Sequence, residues 1–163
     1  MELLEYPHLA EVLREFADYF RNDYEQRLIG HDRYATGELL ESIRTEVRAG
    51  GTTYEVVVHL RDYWKYIEDD TRPHFPPPDA LLRWVQVKPT LPRPFILNGK
   101  EVSPKSLAYL IGRRIAGESP SGKPGGTNGT HDLADAKKTT MDTFKRRVRE
   151  ALGHDLRDWI RKV

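Results

Sequence analysis

From Tyr6 to Leu28 the large apolar side chains fall at Leu9, Leu13, Phe16, Phe20, Tyr24 and Leu28. Gaps of three and four residues put them on one stripe, so the spacing predicts a long first helix with one buried face. A second, short helix is expected with Thr36 as its N-cap, Gly37 where the chain enters tightly, Leu39, Leu40 and Ile43 buried, and an end near Arg44. The period then changes. Residues 45–48 and 54–60 are rich in β-branched side chains and flank Ala49-Gly50-Gly51-Thr52, the pattern of an antiparallel hairpin with a short glycine-containing loop.

Residues 61–70 concentrate Tyr63, Trp64, Tyr66 and Ile67. Trp64 and Ile67 share a face, so this cluster is expected to pack against the sheet; stacking on nucleic-acid bases is the functional alternative. Pro73 and Pro76-Pro77-Pro78 force an extended path, after which Asp79 opens a short helix carrying Leu81, Leu82, Trp84 and Val85. Pro89, Pro92 and Pro94 stop regular structure, and Asn98-Gly99 marks a small hairpin within 95–102. Ser103-Pro104 opens a helix with Leu107, Leu110, Ile111 and Ile115 expected inward. Residues 117–130 have almost nothing to bury and are expected to be a flexible arm. Asp132 starts a last helix with Leu133, Ala136, Thr140, Phe144 and Val148 on one side, and Gly153 is a point where it ends or bends before Leu156, Trp159 and Ile160. The sum is an α+β protein, a small antiparallel sheet packed with several helices, read as a single domain over 1–163 with an arm at 117–130.

A chain of 163 residues has the length for one core of ordinary size. Its net charge of +1 supplies no global field toward nucleic acid or anionic membrane. The absence of cysteine excludes disulfides, thiolate zinc sites and a cysteine nucleophile. The opening residues lack the basic start and apolar run of a signal peptide, and no window approaches a membrane span, so a cytoplasmic start and no membrane partner are expected. Charge is unevenly placed: residues 1–30 carry seven acidic and three basic side chains, residues 132–163 six acidic and nine basic. The two helices could therefore pair within one subunit, join one subunit to a neighbour, or present two separate solvated faces.

Little in the chain suggests catalysis. His31-Asp32, His131-Asp132 and His154-Asp155 spell the dipeptide of metal-dependent phosphohydrolases, but the first two sit in or beside glycine- and threonine-rich turns where Asp caps helices, and capping or surface roles are favoured. Ser121-Gly122-Lys123-Pro124 fails as a phosphate loop because Pro124 replaces the hydroxyl residue and no strand precedes it. Neither a metal nor a cofactor is expected. Lys145, Arg146 and Arg149 on the last helix read first as a solvated face and second as a contact to DNA phosphates or to an acidic neighbour. With Lys123, Thr127 and Asn128 of the arm they form the candidate assembly interface.

A resemblance enters through the order of short motifs. Thr36-Gly37-Glu38-Leu39 with Ser42-Ile43, an alternating hairpin, and then Tyr63-Trp64-Lys65-Tyr66-Ile67-Glu68-Asp69-Asp70-Thr71 resembles the pattern of the neck and tail-completion proteins of long-tailed bacteriophages, with Asp70 standing where that pattern has Gly. Thr36, Gly37, Ser42, Tyr63, Trp64, Tyr66, Glu68 and Thr71 carry the likeness, and 77–85, 107–111 and 129–133 look like the longer members. The resemblance implies a non-enzymatic virion protein. It would form a homo-oligomeric ring between portal side and tail, contacting neighbouring connector and tail proteins and passing genomic DNA without sequence specificity. A tail or baseplate protein of the same fold, or a nucleic-acid-binding domain, is the alternative.

Overall fold

The computed structural model describes residues 6–33, 37–50, 53–118 and 122–162. The fold is α+β: six α-helices and two small antiparallel sheets of two strands each. In chain order the elements are α1 (Pro7–Gly30), α2 (Glu38–Ser42), β1 (Arg44–Gly50), β2 (Thr53–His59), a 3-10 turn (Asp62–Trp64), α3 (Lys65–Glu68), α4 (Pro78–Val87), β3 (Ile96–Leu97), β4 (Lys100–Glu101), α5 (Pro104–Ala116) and α6 (Asp132–Lys162). The chain gathers into two compact units. Unit 1 takes residues 1–30, 42–61 and 132–163, and unit 2 takes 31–41 and 62–131.

Unit 1 is α1, the β1–β2 hairpin and α6. The expected stripe on α1 is the buried one, with Leu9, Phe20, Tyr24 and Leu28 inside and Ala17 between them. Ala136, Thr140, Phe144 and Ala151 face inward from α6. Phe144 meets Phe16 edge to face at 5.7 Å between ring centres, and the Arg147 guanidinium lies 4.9 Å from the Phe144 ring centre. The acidic and basic helices pair within the subunit: Arg147 bonds Glu15 at 2.5 Å, and Arg27 reaches Thr139 at 3.1 Å and Asp135 at 3.9 Å. The hairpin runs in register from Arg44 opposite His59 to Gly50 opposite Thr53, and residues 51–52 of the expected loop lie outside the described residues. Period-two alternation puts Thr45, Val47, Tyr54, Val56 and Val58 on one face. On the opposite face Glu46 pairs with Arg48 at 2.8 Å and His59 at 3.3 Å.

One buried carboxylate ties the two ends of the chain together. Asp155, on α6, accepts the backbone N–H of His8 at 3.0 Å and of Leu9 at 2.8 Å, and the His8 ring Nδ1 lies 2.7 Å away. Those amides are in the first turn of α1 and have no partner within their own helix. Asp155 thus caps α1 from a distance of about 147 residues along the chain. It is the carboxyl of one of the His-Asp dipeptides, and α6 continues through Gly153 to bring it there, without ending at that glycine. Burial alone would raise its pKa, but the Leu9 amide, the His8 ring and the His8 amide together outweigh this and hold it below the usual carboxylate range.

Unit 2 centres on α4 against α5. Leu81 and Val85 of α4, Phe95 and Ala108 form its core, with Leu82, Leu91, Val102, Leu107, Ile111 and Ile115 packed around them. Ser103 caps α5 by accepting the Ser106 N–H at 3.1 Å, and Pro104 sits at the first turn, as the sequence indicates. Asn98 and Gly99 both take positive φ, 50° and 76°, in the expected tight turn between β3 and β4. The inward face of α5 differs from expectation. Its most buried residues are Ala108 and Gly112, while Leu110 is exposed. The Phe75 ring occupies the space a Cβ on Gly112 would need, so the helix seats on its smallest residues and the larger ones flank the contact.

Asp155→Ala leaves buried amides of α1 unpaired and should cost about 1–3 kcal/mol. Because the folded pKa is depressed, the carboxylate's contribution is complete above about pH 4 and fades as pH falls through the folded value. Urea unfolding of wild type and Asp155→Asn should therefore differ near neutral pH and converge in strong acid. A gap that persists in acid would show that the ionised carboxylate is not the source.

Candidate assembly surfaces

Residues 122–130, expected as a mobile arm, lie against their own unit. Thr71 and Thr127 form an isolated antiparallel bridge, with the Thr71 N–H donating to the Thr127 carbonyl at 2.9 Å and the two hydroxyls 2.7 Å apart. Thr130 N–H donates to Ile67 O at 3.1 Å, His131 N–H to Glu68 O at 3.3 Å, and Gly129 N–H to the Asp70 carboxylate at 2.8 Å. Arg114 holds the carbonyls of Lys123 and Pro124, and Arg33 that of Asn128. The stretch carries almost no apolar side chains, which is why an arm was expected. What secures this stretch is backbone hydrogen bonding and close approach, for which glycine is the required residue. A Cβ on Gly126 would collide with Thr71 O, and one on Gly129 with Glu68 O. Residues 119–121 lie outside the described residues.

This contact joins two stretches that the motif pattern lists separately. Thr71 is the hub of the pairing, and Glu68 is buried at 6% exposure. Asp70 is absent from the positive-φ residues; its side chain instead accepts the glycine amide across the loop. The aromatic cluster is not the packed core that was expected. Tyr66 is 73% and Tyr63 38% exposed, with Trp64 half-buried. The C-terminal end of α3 is taken by the backbone of 130–131, whose amides use the Ile67 and Glu68 carbonyls. The hairpin belongs to the other unit.

Beside this junction unit 2 has a cavity of about 540 Å³ lined by Leu39, Tyr63, Ile67, Trp84, Val87 and charged residues at its rim. Lys88 is nearly buried at its edge. Its ammonium bonds the Asp32 carboxylate at 2.8 Å and the Asp32 backbone carbonyl, and lies 5.9 Å from the Trp84 ring centre. Lys88 and Thr90 hold the Asp32 carboxyl below its usual range. This pair, 56 residues apart, had no local sign in the sequence. Gly37 leads into α2 with φ of 82°. Ser42 accepts the Arg61 N–H in unit 1, at 3.2 Å, and Thr36 lies outside the described residues.

The candidate interface residues on α6 all face outward. Arg146 bonds Glu150 at 3.0 Å, whereas Lys145 and Arg149 have no carboxylate partner among the described residues. Towards the end of that helix Leu152, Leu156, Trp159 and Ile160 are exposed, the last at 65%. The three His-Asp dipeptides are used differently: Asp32 takes φ of 54° in a turn and pairs with Lys88, His131 takes φ of 56° just before α6, and Asp155 caps α1. Among the described residues no group of three or more His, Asp or Glu side chains is placed to hold a metal ion, and no helix is long and apolar enough to cross a membrane. In comparisons with protein families, curated proteins and solved structures, the chain matches none.

Gly129→Ala and Gly126→Ala should each destabilise unit 2 by about 1–3 kcal/mol through overpacking, and should raise amide hydrogen exchange at Thr71, Thr127, Thr130 and His131. Lys123→Ala, which leaves its carbonyl in place, should leave exchange unchanged. Equal protection in all three variants would mean that the close approach does not hold the loop.

Proposed function

We propose that this chain is a structural subunit of the head–tail junction of a long-tailed bacteriophage, a neck or tail-completion protein that oligomerises as a ring around the DNA channel. The observation that carries the reading is the ordered set of motifs from Thr36 to Leu133, whose likeness is to proteins that work by contact and not by catalysis. Two features of the subunit support it. The motif stretches 63–71 and 129–133 are hydrogen-bonded partners, Gly129, Thr130 and His131 donating to Asp70, Ile67 and Glu68, so their joint presence has a structural reason. The subunit also leaves Tyr66, Trp159 and Ile160 largely in solvent, apolar surface of the kind that marks protein interaction sites. Genomic DNA would pass without base reading.

The reading is tested by sedimentation of the purified chain over a wide concentration range, with negative-stain images of the associated fraction. Closed rings with a central hole are expected. A chain that stays monomeric and binds duplex DNA with a steep salt dependence would favour a nucleic-acid-binding domain. Alanine at His31, His131 and His154 should leave ring formation intact. A phosphohydrolase activity abolished by that triple change would end the structural reading.

A further inference from the structure

Two exposed ridges, one in each unit, are complementary in chemistry. On α6 the outward residues Lys145, Arg149, Leu152, Leu156, Trp159 and Ile160 follow one another at spacings of three and four, apart from the final adjacent pair, and so share one face of the helix. The face changes character along its length. Lys145 and Arg149 are exposed cations without a carboxylate partner among the described residues, and the following turns are apolar, with Leu152 38%, Leu156 41%, Trp159 48% and Ile160 65% exposed. The residues of α6 that face the core, Phe144, Ala151 and Asp155, lie on a different side.

The second ridge is the 3-10 turn and α3. Tyr63, Tyr66 and Asp69, the residue just after α3, are exposed and follow at spacings of three, with exposed Asp62 immediately before Tyr63 and Lys65 as an exposed cation beside them. Tyr66, at 73%, is the most exposed of the large apolar and aromatic side chains described. A tyrosine gives large contact area at low entropic cost, which suits it to an interface. One ridge is thus apolar and basic, the other aromatic and acidic.

We infer that the α6 ridge of one copy docks on the 62–69 ridge of a second copy. Self-pairing of the α6 ridge about a two-fold axis would set Lys145 and Arg149 against their own kind if the helices ran parallel, and against Leu156 and Ile160 if they ran antiparallel; in neither case would these cations meet an anionic part of the ridge. Contact between two different surfaces is heterologous, and repeating it produces a closed ring or an open filament according to the rotation per step. The inference rests on the ring reading above and names the contact through which the ring would be made. Tyr63 and Tyr66 would supply the anchors for Leu156, Trp159 and Ile160, and the Asp62 and Asp69 carboxylates would meet Lys145 and Arg149 at the margin.

The test is charge exchange on the full chain. Variant one carries Lys145→Glu and Arg149→Glu; variant two carries Asp62→Lys and Asp69→Lys. All four side chains are exposed, so both variants should fold, which circular dichroism and thermal melting check. Each variant alone should associate at least tenfold more weakly than wild type in sedimentation. An equimolar mixture should regain association, because the reversed ridge of each then meets its complement on the other. Trp159→Ala and Tyr66→Ala should each weaken association of the wild-type charge pattern without changing the melting temperature. Rings that form normally in both charge variants would overturn this contact while leaving the ring reading standing. Restored association in the mixture that yields only open chains would keep the contact and remove the ring. A wild-type chain that stays monomeric at every concentration, or one whose α6 ridge binds duplex DNA in place of a second copy, would overturn the contact itself.

Discussion

Asp155 is the constraint on which unit 1 depends. It is a buried carboxylate near the end of the chain, and its hydrogen bonds go to amides at the beginning of the first described helix. An unpaired buried carboxylate costs several kcal/mol, and so do orphaned amides at a buried helix start. Each defect cancels the other only when α1 and α6 lie antiparallel in one register. Phe16 against Phe144 and Glu15 against Arg147 then fall into contact along the same seam. Apolar burial supplies the drive for the two helices to associate, and the carboxylate fixes how far each slides along the other. The hairpin adds its apolar face to this pair, since two strands alone are marginal in water.

Unit 2 solves a different problem by a different device. Its long connection from α5 to α6 has few side chains to bury, so it is held through main-chain donors and acceptors. Gly126 and Gly129 permit the approach to Thr71 and Glu68 that a Cβ would block. Beside this junction Tyr63 and Tyr66 are exposed, so a region that looks like core by composition is surface.

Much of the architecture was legible in the residues alone. The stripe Leu9 to Leu28 gave α1, the Ser103-Pro104 start gave α5, Asn98-Gly99 gave the small turn, and the α+β class followed. These succeed because helix period, capping and turn chemistry act between residues a few positions apart. The interaction sites were less legible. The stretch 117–130 was read as an arm because its composition offers nothing to bury, and composition is silent on backbone hydrogen bonds to a segment some 56 residues away. Leu110 was expected inward because large apolar residues define a helical stripe, yet α5 approaches Phe75 through Gly112.

The sequence by itself determined most of the elements, their order and the α+β class. Tertiary structure alone decided that Asp155 caps α1, that Lys88 is neutralised by Asp32, and that α1 and α6 pair within the subunit. It also decided that Trp159 and Tyr66 stand in solvent. The division has one physical cause. Local preferences are set by neighbours along the chain, whereas a buried charge, a close glycine contact or an exposed ring is defined by residues that meet only once the chain has folded.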